Sequence, residues 1–346
     1  MTIPILPGTD AHAIEQAAQA LKEGKLVVLP TETVYGLGAD ADQDMACRAV
    51  FETKARPANH PLIVHVSSQE AAMHYTQDIP VFAQILIKAF WPGPLTIIVK
   101  RKDGVDTAAT GGQNTIGLRC PSHPVAQQLI RAFEAIGGHG IAAPSANQFG
   151  ATSPTTALHV QQGFADVPNH CIAMILDGGS CDVGIESTII DCSRGRPVLL
   201  RPGTLTMEEL EKAAQTKVYY PKEDISTEDV PKASGTLAAH YAPKAKVRLM
   251  TADNMAIALG IVAGAKSAES TPHIGVYARN LPSAKSKAII KRQMPDNAKD
   301  VAHELFAVLH DFDAKGVKLL WIENLPDTEE WDGVRDRLER AAAASN

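Results

Sequence analysis

The chain has 346 residues, 45% of them hydrophobic, and a formal charge of −6. That composition excludes a disordered chain, and the length suggests two domains. The acidic balance counts against a nucleic-acid binder: residues 1–205 carry 14 Lys and Arg against 18 Asp and Glu, so any anion site must rest on a few focused cations.

No apolar run reaches the roughly 18 residues of a membrane helix. The opening "MTIPILPGTD" lacks a basic segment and an apolar core of signal length, which argues against export. Five cysteines, odd in number and without CxxC spacing, speak against a disulfide framework or a zinc site and fit a reducing cytoplasm.

In chain order, Asp10 caps a predicted helix over 11–23 with Gly24 as its stop. The apolar strand 25–29 then breaks at Pro30 into "TETVYGLG", a loop of hydroxyls, a carboxylate and glycines. Helical spacing returns over 42–54, "PLIVHV" predicts a strand over 61–66, and two helices follow near 68–77 and 79–90. "WPGPLTIIVK" is a turn feeding a strand, "TIGLRC" a strand, and "PSHPVAQQLIRAF" a helix with Pro124 in its first turn. "GIAAPSAN", "AMILDGG", "STIIDC" and "PVLLRPG" are strand-like runs that end in small or polar residues. Strands and helices mix without strict alternation, so residues 1–217 are expected to form one mixed α/β domain with a twisted sheet and a ligand cavity.

Residues 218–245 are rich in Pro, charge and turn formers and predict a linker or lid. From 246 to 346, "KVRLM", a helix near 252–264, "HIGVYA", a helix near 297–315, "VKLLWIE" and a final helix alternate β and α. This predicts a smaller C-terminal Rossmann-like α/β domain with a parallel sheet. It has no GxGxxG, so a dinucleotide is not indicated.

Strand ends in the first domain finish in hydroxyl, amide or cationic groups: "PTETVYGLG", "KARPANHPLIVH", "TIGLR", "APSAN", "GIESTIID" and "LLRPG". Singly, each is ordinary turn or helix-end chemistry. Together they match the rule that open α/β sheets bind ligands at strand ends. Lys and Arg supply charge for phosphates, and small residues let backbone N–H groups approach an anion. Walker, GxSxG and HExxH motifs are absent, and no cysteine sits in a loop beside a basic partner. The inventory suits a nucleotide triphosphate pocket without a Walker loop.

These motifs, with the Lys54/Arg56…Ser145/Asn147 pairing, resemble the YrdC-like domain of L-threonylcarbamoyladenylate synthases. "SGTLAAHYAPKA" before a small α/β domain resembles the long, two-domain form of that family. Ala55 stands where the family often has glycine. The resemblance implies a nucleotidyltransferase that condenses L-threonine, bicarbonate and ATP, with Mg²⁺, into threonylcarbamoyl-AMP and pyrophosphate. A partner transferase would then move the threonylcarbamoyl group to adenosine in tRNA. Direct tRNA binding is expected to be weak, and no membrane is involved.

By that resemblance Lys54 and Arg56 are catalytic. Thr33, His65, Arg119, Ala143 (through its backbone) and Ser187 hold threonine, Arg119 meeting its carboxylate. Arg56, His60, Thr115, Ser145, Ser153, Arg201 and Tyr241 hold ATP, with Lys54 and Asn147 completing the set. Glu32 and Glu186 either cap turns or help position Mg²⁺, so metal ligands stay unassigned. Residues 226–245, with Tyr241, are expected to close over the cavity. Two other classes stay open: an RNA-binding module of the same fold, and a carbamoyl-transfer enzyme of the hydrogenase-maturation type. The second would want an acylphosphatase-like segment and zinc-finger cysteines, which are absent.

Overall fold

The computed structural model of the protein describes residues 2–105, 108–168, 170–223, 229–264, 273–281 and 287–345. The chain divides into two compact units, Met1–Phe149 with Ser153–Thr236, and Gly150–Thr152 with Leu237–Asn346.

The first unit runs β1 (Ile5–Pro7), α1 (Ala11–Lys22), β2 (Leu26–Leu29), β3 (Gly36–Asp40), α2 (Asp44–Lys54), β4 (Ile63–His65), α3 (Gln69–Ala72) and α4 (Val81–Phe90). It continues with β5 (Leu95–Lys100), β6 (Thr115–Arg119), α5 (Pro124–Ala135), β7 (Ile141–Ala142), α6 (Ala157–Gly163), β8 (Ile172–Asp177), β9 (Thr188–Asp191), β10 (Val198–Arg201) and α7 (Met207–Ala214). The ten strands form one mixed sheet in the order β1-β8-β2-β3-β7-β4-β6-β5-β9-β10.

Local chemistry sets the helix ends. The Asp10 carboxylate accepts from the His12 backbone N–H and starts α1, and Gly24 at φ 77° lies just beyond it. Pro124 occupies the first turn of α5, and His123 accepts from the Val125 N–H. The apolar stripes of α1 and α5 (Ile14, Ala17 and Leu21 with Val125, Leu129 and Phe133) pack together over Val27 and Leu29 of β2. Each fully buried Leu or Phe of this layer contributes about 1.5–3 kcal/mol. Because side chains alternate along a strand, Leu26 and Val28 join the core on the opposite face, with Val50 and Phe51 of α2 and Leu86 of α4.

Several elements differ from the sequence expectation. β3 continues directly out of the polar loop and pairs antiparallel with β2. Helix α3 stops at Ala72 because the chain turns there: Tyr75 enters the core and the Thr76 hydroxyl donates to the Lys100 carbonyl. The short β1, α6 and α7 were not expected. The predicted linker is not a single spacer either. Tyr219 bridges to Val198 at the sheet edge, and Gln113 and Lys232 exchange two hydrogen bonds, so these stretches belong to the first unit. Leu237 onward belongs to the second, and 224–228, inside the predicted linker and the start of the predicted lid, lie outside the described residues.

The second unit holds β11 (Lys246–Met250), α8 (Ala252–Gly264), β12 (Ile274–Ala278), β13 (Ile289–Gln293), α9 (Ala298–Ala314), β14 (Leu319–Glu323) and α10 (Asp332–Ala343). Its four strands are all parallel, in the order β11-β14-β12-β13, as the Rossmann-like expectation requires. Met255 and Leu259 of α8 pack on Val276, Ala278 and Trp321. No helix among the described residues is long and apolar enough to cross a membrane.

Candidate active site

The register of the first sheet builds a polar row across one face. His65 of β4 is paired with Arg119 of β6, Arg119 with Thr96 of β5, Thr96 with Ile189 of β9, and Ile189 with Arg201 of β10. Cross-strand partners share a face, so these five side chains stand in line. An irregularity between Leu199 and Arg201 re-aims the arginine onto this face. On the opposite face Val64, Ile97, Ile116 and Leu118 fill the main core. The row also runs along one end of the sheet, as the strand-end expectation requires: His65, Arg119 and Arg201 close β4, β6 and β10, while Thr96 and Ile189 stand one residue into β5 and β9. A small cavity over the face is lined by Ile63, Thr96, Ile98, Thr115, Gly117 and Ser234.

The row is tied together by hydrogen bonds. The Arg201 guanidinium donates twice to the Ser187 carbonyl (3.1 and 2.8 Å), once to its Oγ (3.1 Å) and once to the Ser234 carbonyl (2.8 Å). Ser187 Oγ and Thr96 Oγ1 lie 2.8 Å apart. Arg119 ion-pairs with Glu32 at 2.8 Å, both side chains being buried, and its Nε donates to the Gly93 carbonyl at 3.4 Å. Glu32 Oε2 also accepts from the Ser122 N–H at 3.1 Å. His65 is buried and its Nδ1 has no hydrogen-bond partner. Burial, and next the Arg119 charge, push its imidazole down to about 3, so it is neutral at physiological pH.

A second group comes from helix α2 and the loops. Lys54 is fully buried, and its ammonium donates to the carbonyls of Ser145 and Asn147. Burial lowers its pKa well below the usual lysine value; Arg56 acts in the same sense and Glu186 opposes. The Arg56 guanidinium donates to the Pro61 carbonyl (3.0 Å) and to Ser234 Oγ (3.2 Å), and it lies 5.7 Å from the Phe149 ring. Half-buried His60 meets the same ring edge-on at 5.7 Å. Ser153 Oγ donates to the Glu186 carboxylate. Thr33 Oγ1 sits 2.8 Å from Thr31 Oγ1 inside the loop after β2, and the Ala143 N–H bonds to the Ile63 carbonyl.

Ser234 is the meeting point: Arg56 and Arg201 both donate to it, and its own hydroxyl donates to the Pro61 carbonyl at 2.8 Å. Ala233 beside it packs on Ile98 and Ile189. Thr96, Ser234 and the Glu32–Arg119 pair were missed in the sequence reading. Strand alternation in "LTIIVK" held the signal for Thr96, which faces the same way as Ile98. Tyr241, expected among the ATP contacts, belongs to the second unit. Its ring is buried in the second unit, 5.6 Å from Phe306 and 5.3 Å from the Arg337 guanidinium, because a large aromatic ring gains more from apolar burial than from an open polar cleft. The four buried thiols are not activated: burial pushes Cys47 up to about 12 and raises Cys120, Cys181 and Cys192 as well.

A family profile described as "Telomere recombination", covering Sua5, YciO and YrdC proteins, matches residues 19–203, and one described as "Threonylcarbamoyl-AMP synthase, C-terminal domain" matches residues 205–343. The chain belongs to the Sua5/YrdC family of threonylcarbamoyl-AMP synthases. It is 38% identical to the threonylcarbamoyl-AMP synthase of Pyrococcus abyssi over 95% of this chain and 94% of that one. Its identity to the Bacillus subtilis threonylcarbamoyl-AMP synthase is 36%, over 96% and 94%. A crystal structure of Pyrococcus abyssi Sua5 complexed with L-threonine superposes with a TM-score of 0.84 at 35% identity, covering 100% of this chain and 98% of that one. Both units of the family's two-domain form are therefore present.

Proposed function

We propose that this chain condenses L-threonine, bicarbonate and ATP into threonylcarbamoyl-AMP and pyrophosphate, and that its product feeds a transferase that modifies adenosine in tRNA. The observation that carries the reading is the buried row His65–Arg119–Thr96–Arg201, with Lys54 and Arg56 beside it. Attack of an N-carboxythreonine carboxylate on the α-phosphate needs alignment and charge neutralisation rather than an enzyme nucleophile. A site of fixed cations, hydroxyls and amides suits that step.

Arg119, anchored by Glu32 and the Gly93 carbonyl, meets the threonine carboxylate, for which a guanidinium fork is suited. Neutral His65 offers Nδ1, which has no protein partner; Thr33, Ser187 and the Ala143 backbone complete the amino-acid pocket. Arg56, His60, Thr115, Ser145, Asn147, Ser153 and Arg201 line the ATP side. Lys54 acts there as a strut that holds the Ser145 and Asn147 carbonyls.

Mg²⁺ fits as a ligand of the phosphates rather than of a protein cage. Of the two carboxylates expected near it, Glu32 is held by Arg119 and Ser122, and Glu186 accepts from Ser153. The ion usually keeps several waters and binds through one or two carboxylates plus substrate phosphates, and Glu186, beside Ser153 on the ATP side, would be the side chain to reach it. When bound, Mg²⁺ neutralises phosphate charge. The setting proposed is the cytoplasm, where five free thiols are stable.

Pyrophosphate release tests this directly. It should require threonine, bicarbonate and MgATP together. Serine should be a poor substrate, weaker by about 1–3 kcal/mol for its missing methyl, and valine should be rejected because it leaves buried polar groups unpaired. Equal use of valine and threonine would overturn the pocket assignment.

A further inference from the structure

Away from the polar row, Asp42, His74 and His139 converge on one point of the first unit. His139 Nδ1 lies 2.7 Å and His74 Nε2 3.1 Å from the same carboxylate oxygen, Asp42 Oδ2. The two imidazoles stack with centroids 3.7 Å apart and planes 9° from parallel. All three ligand-type atoms fall within 4.8 Å of one another.

The fold forces this meeting. β3 and β7 are paired, Asp40 opposite Ile141, and the Ala41 N–H bonds to the Gly140 carbonyl at 3.0 Å. The ladder thus brings Asp42, just past β3, beside His139, just before β7. His74 is delivered by the turn after α3 and held by Tyr75, whose ring meets it edge-on at 4.7 Å. Tyr75 is itself locked: it is 1% exposed, and a Cβ added at Gly140 would sit 2.7 Å from its hydroxyl. That hydroxyl faces the Asp42 carboxylate from the buried side of the cluster.

We propose that Asp42, His74 and His139 form a binding site for a divalent late transition-metal ion, of which zinc is the representative. Two imidazole nitrogens and one carboxylate are a donor set that such ions favour, with bond lengths of about 2.0–2.2 Å. The nitrogens now approach the carboxylate oxygen at hydrogen-bond distance, so an ion entering between them replaces those two hydrogen bonds. On binding, the proton that each facing nitrogen donates to Asp42 would pass to the ring's other nitrogen or to solvent, and the rings would turn outward from the stack. Exposures of 36% for His74, 30% for Asp42 and 50% for His139 leave room for that turn. The exposed side leaves a fourth position for water. The ion would strap together segments 32 and 97 residues apart in sequence, and mass action would stabilise the folded unit.

The test uses the full chain, freed of metal with a chelator and titrated with zinc. One zinc ion per chain should bind and raise the melting temperature, and Co²⁺ in its place should give visible absorption bands of a low-coordinate site. His74→Gln and His139→Gln should each weaken binding by at least about tenfold, and Asp42→Asn should weaken it too. Pyrophosphate release should be unchanged in all three variants, which also shows that they fold. Zinc binding with the same stoichiometry and affinity in a His74→Gln/His139→Gln double variant would overturn the site, as would no binding by the unsubstituted chain.

Discussion

In the ten-stranded sheet, β6 turns Thr115, Gly117 and Arg119 toward the cavity face and Ile116 and Leu118 into the core. In the four-stranded sheet, β12 has no such division: Val276 and Ala278 pack under α8, while Gly275 lies against Phe312 of α9 and Leu320. A sheet covered by helices on both faces has to be apolar on both. Its polar groups retreat to the strand ends, where Glu323 of β14 pairs with Arg279 at 2.9 Å. The larger sheet is covered by α1 and α5 only on its β2 side, so the other half of that face is free to carry cations. A difference in helix cover thus separates the chemical unit from the second one, and four perturbations sharpen or break that contrast.

The largest effect is expected on the cavity side. Arg56→Ala removes a guanidinium that binds Ser234 and Pro61 and would pair with phosphate. Losing such a buried partner costs about 2–5 kcal/mol, or roughly 30-fold to several thousand-fold in turnover. Circular dichroism should show an intact fold, and near-normal pyrophosphate release would break the assignment.

His65 links this face to stability. Its folded pKa, about 3, lies below the ordinary 6.5, so the unfolded chain takes up a proton first as pH falls. The stability from neutral burial is fully present above about pH 6.5 and is lost progressively toward pH 3, with a slope of up to about 1.4 kcal/mol per pH unit. Urea melts of His65→Gln should show a shallower loss between pH 6 and 4 than the parent.

The second sheet should respond in stability but not in chemistry. A methyl at Gly275 would lie 2.8 Å from the Phe312 ring and 2.9 Å from Leu320, overpacking that costs about 1–3 kcal/mol. Gly275→Ala should lower the melting temperature of the second unit while turnover at room temperature stays near that of the parent. The smallest effect belongs to Ala55, held at φ 51° just after α2. The left-handed conformation costs a non-glycine residue about 1–2 kcal/mol, part of which glycine loses again through its freer unfolded chain. Ala55→Gly should raise the urea midpoint modestly, and a fall would contradict the strain.

Much of this was legible in the sequence for physical reasons. "KLVVLP" and "LTIIVK" announce strands by apolar β-branched runs, and "PSHPVAQQLIRAF" shows its helix through Pro124 and periodicity. β3 was hidden because "GLGAD" has glycine where strands usually have bulk. Gly38 is needed there, since a Cβ would sit 2.8 Å from Ile141. The residue types of the site were readable too, but not their arrangement. That Lys54 braces two carbonyls about 90 residues away, that Arg119 is held by Glu32, and that Arg56 and Arg201 share Ser234 follow from strand order and register. His74 and His139 were invisible for the same reason: only the β3–β7 ladder puts Asp42 between them.

The central claim is that the helix-free face assembles a carbamoylated amino acid and an adenylate. Its most direct test is the mass spectrum of the product made by the full chain from threonine, MgATP and ¹³C-bicarbonate. The product should be threonylcarbamoyl-AMP one mass unit heavier than from unlabelled bicarbonate, and it should nearly disappear with Arg56→Ala. ATP breakdown without a labelled adenylate, or equal yields from the two chains, would contradict the claim.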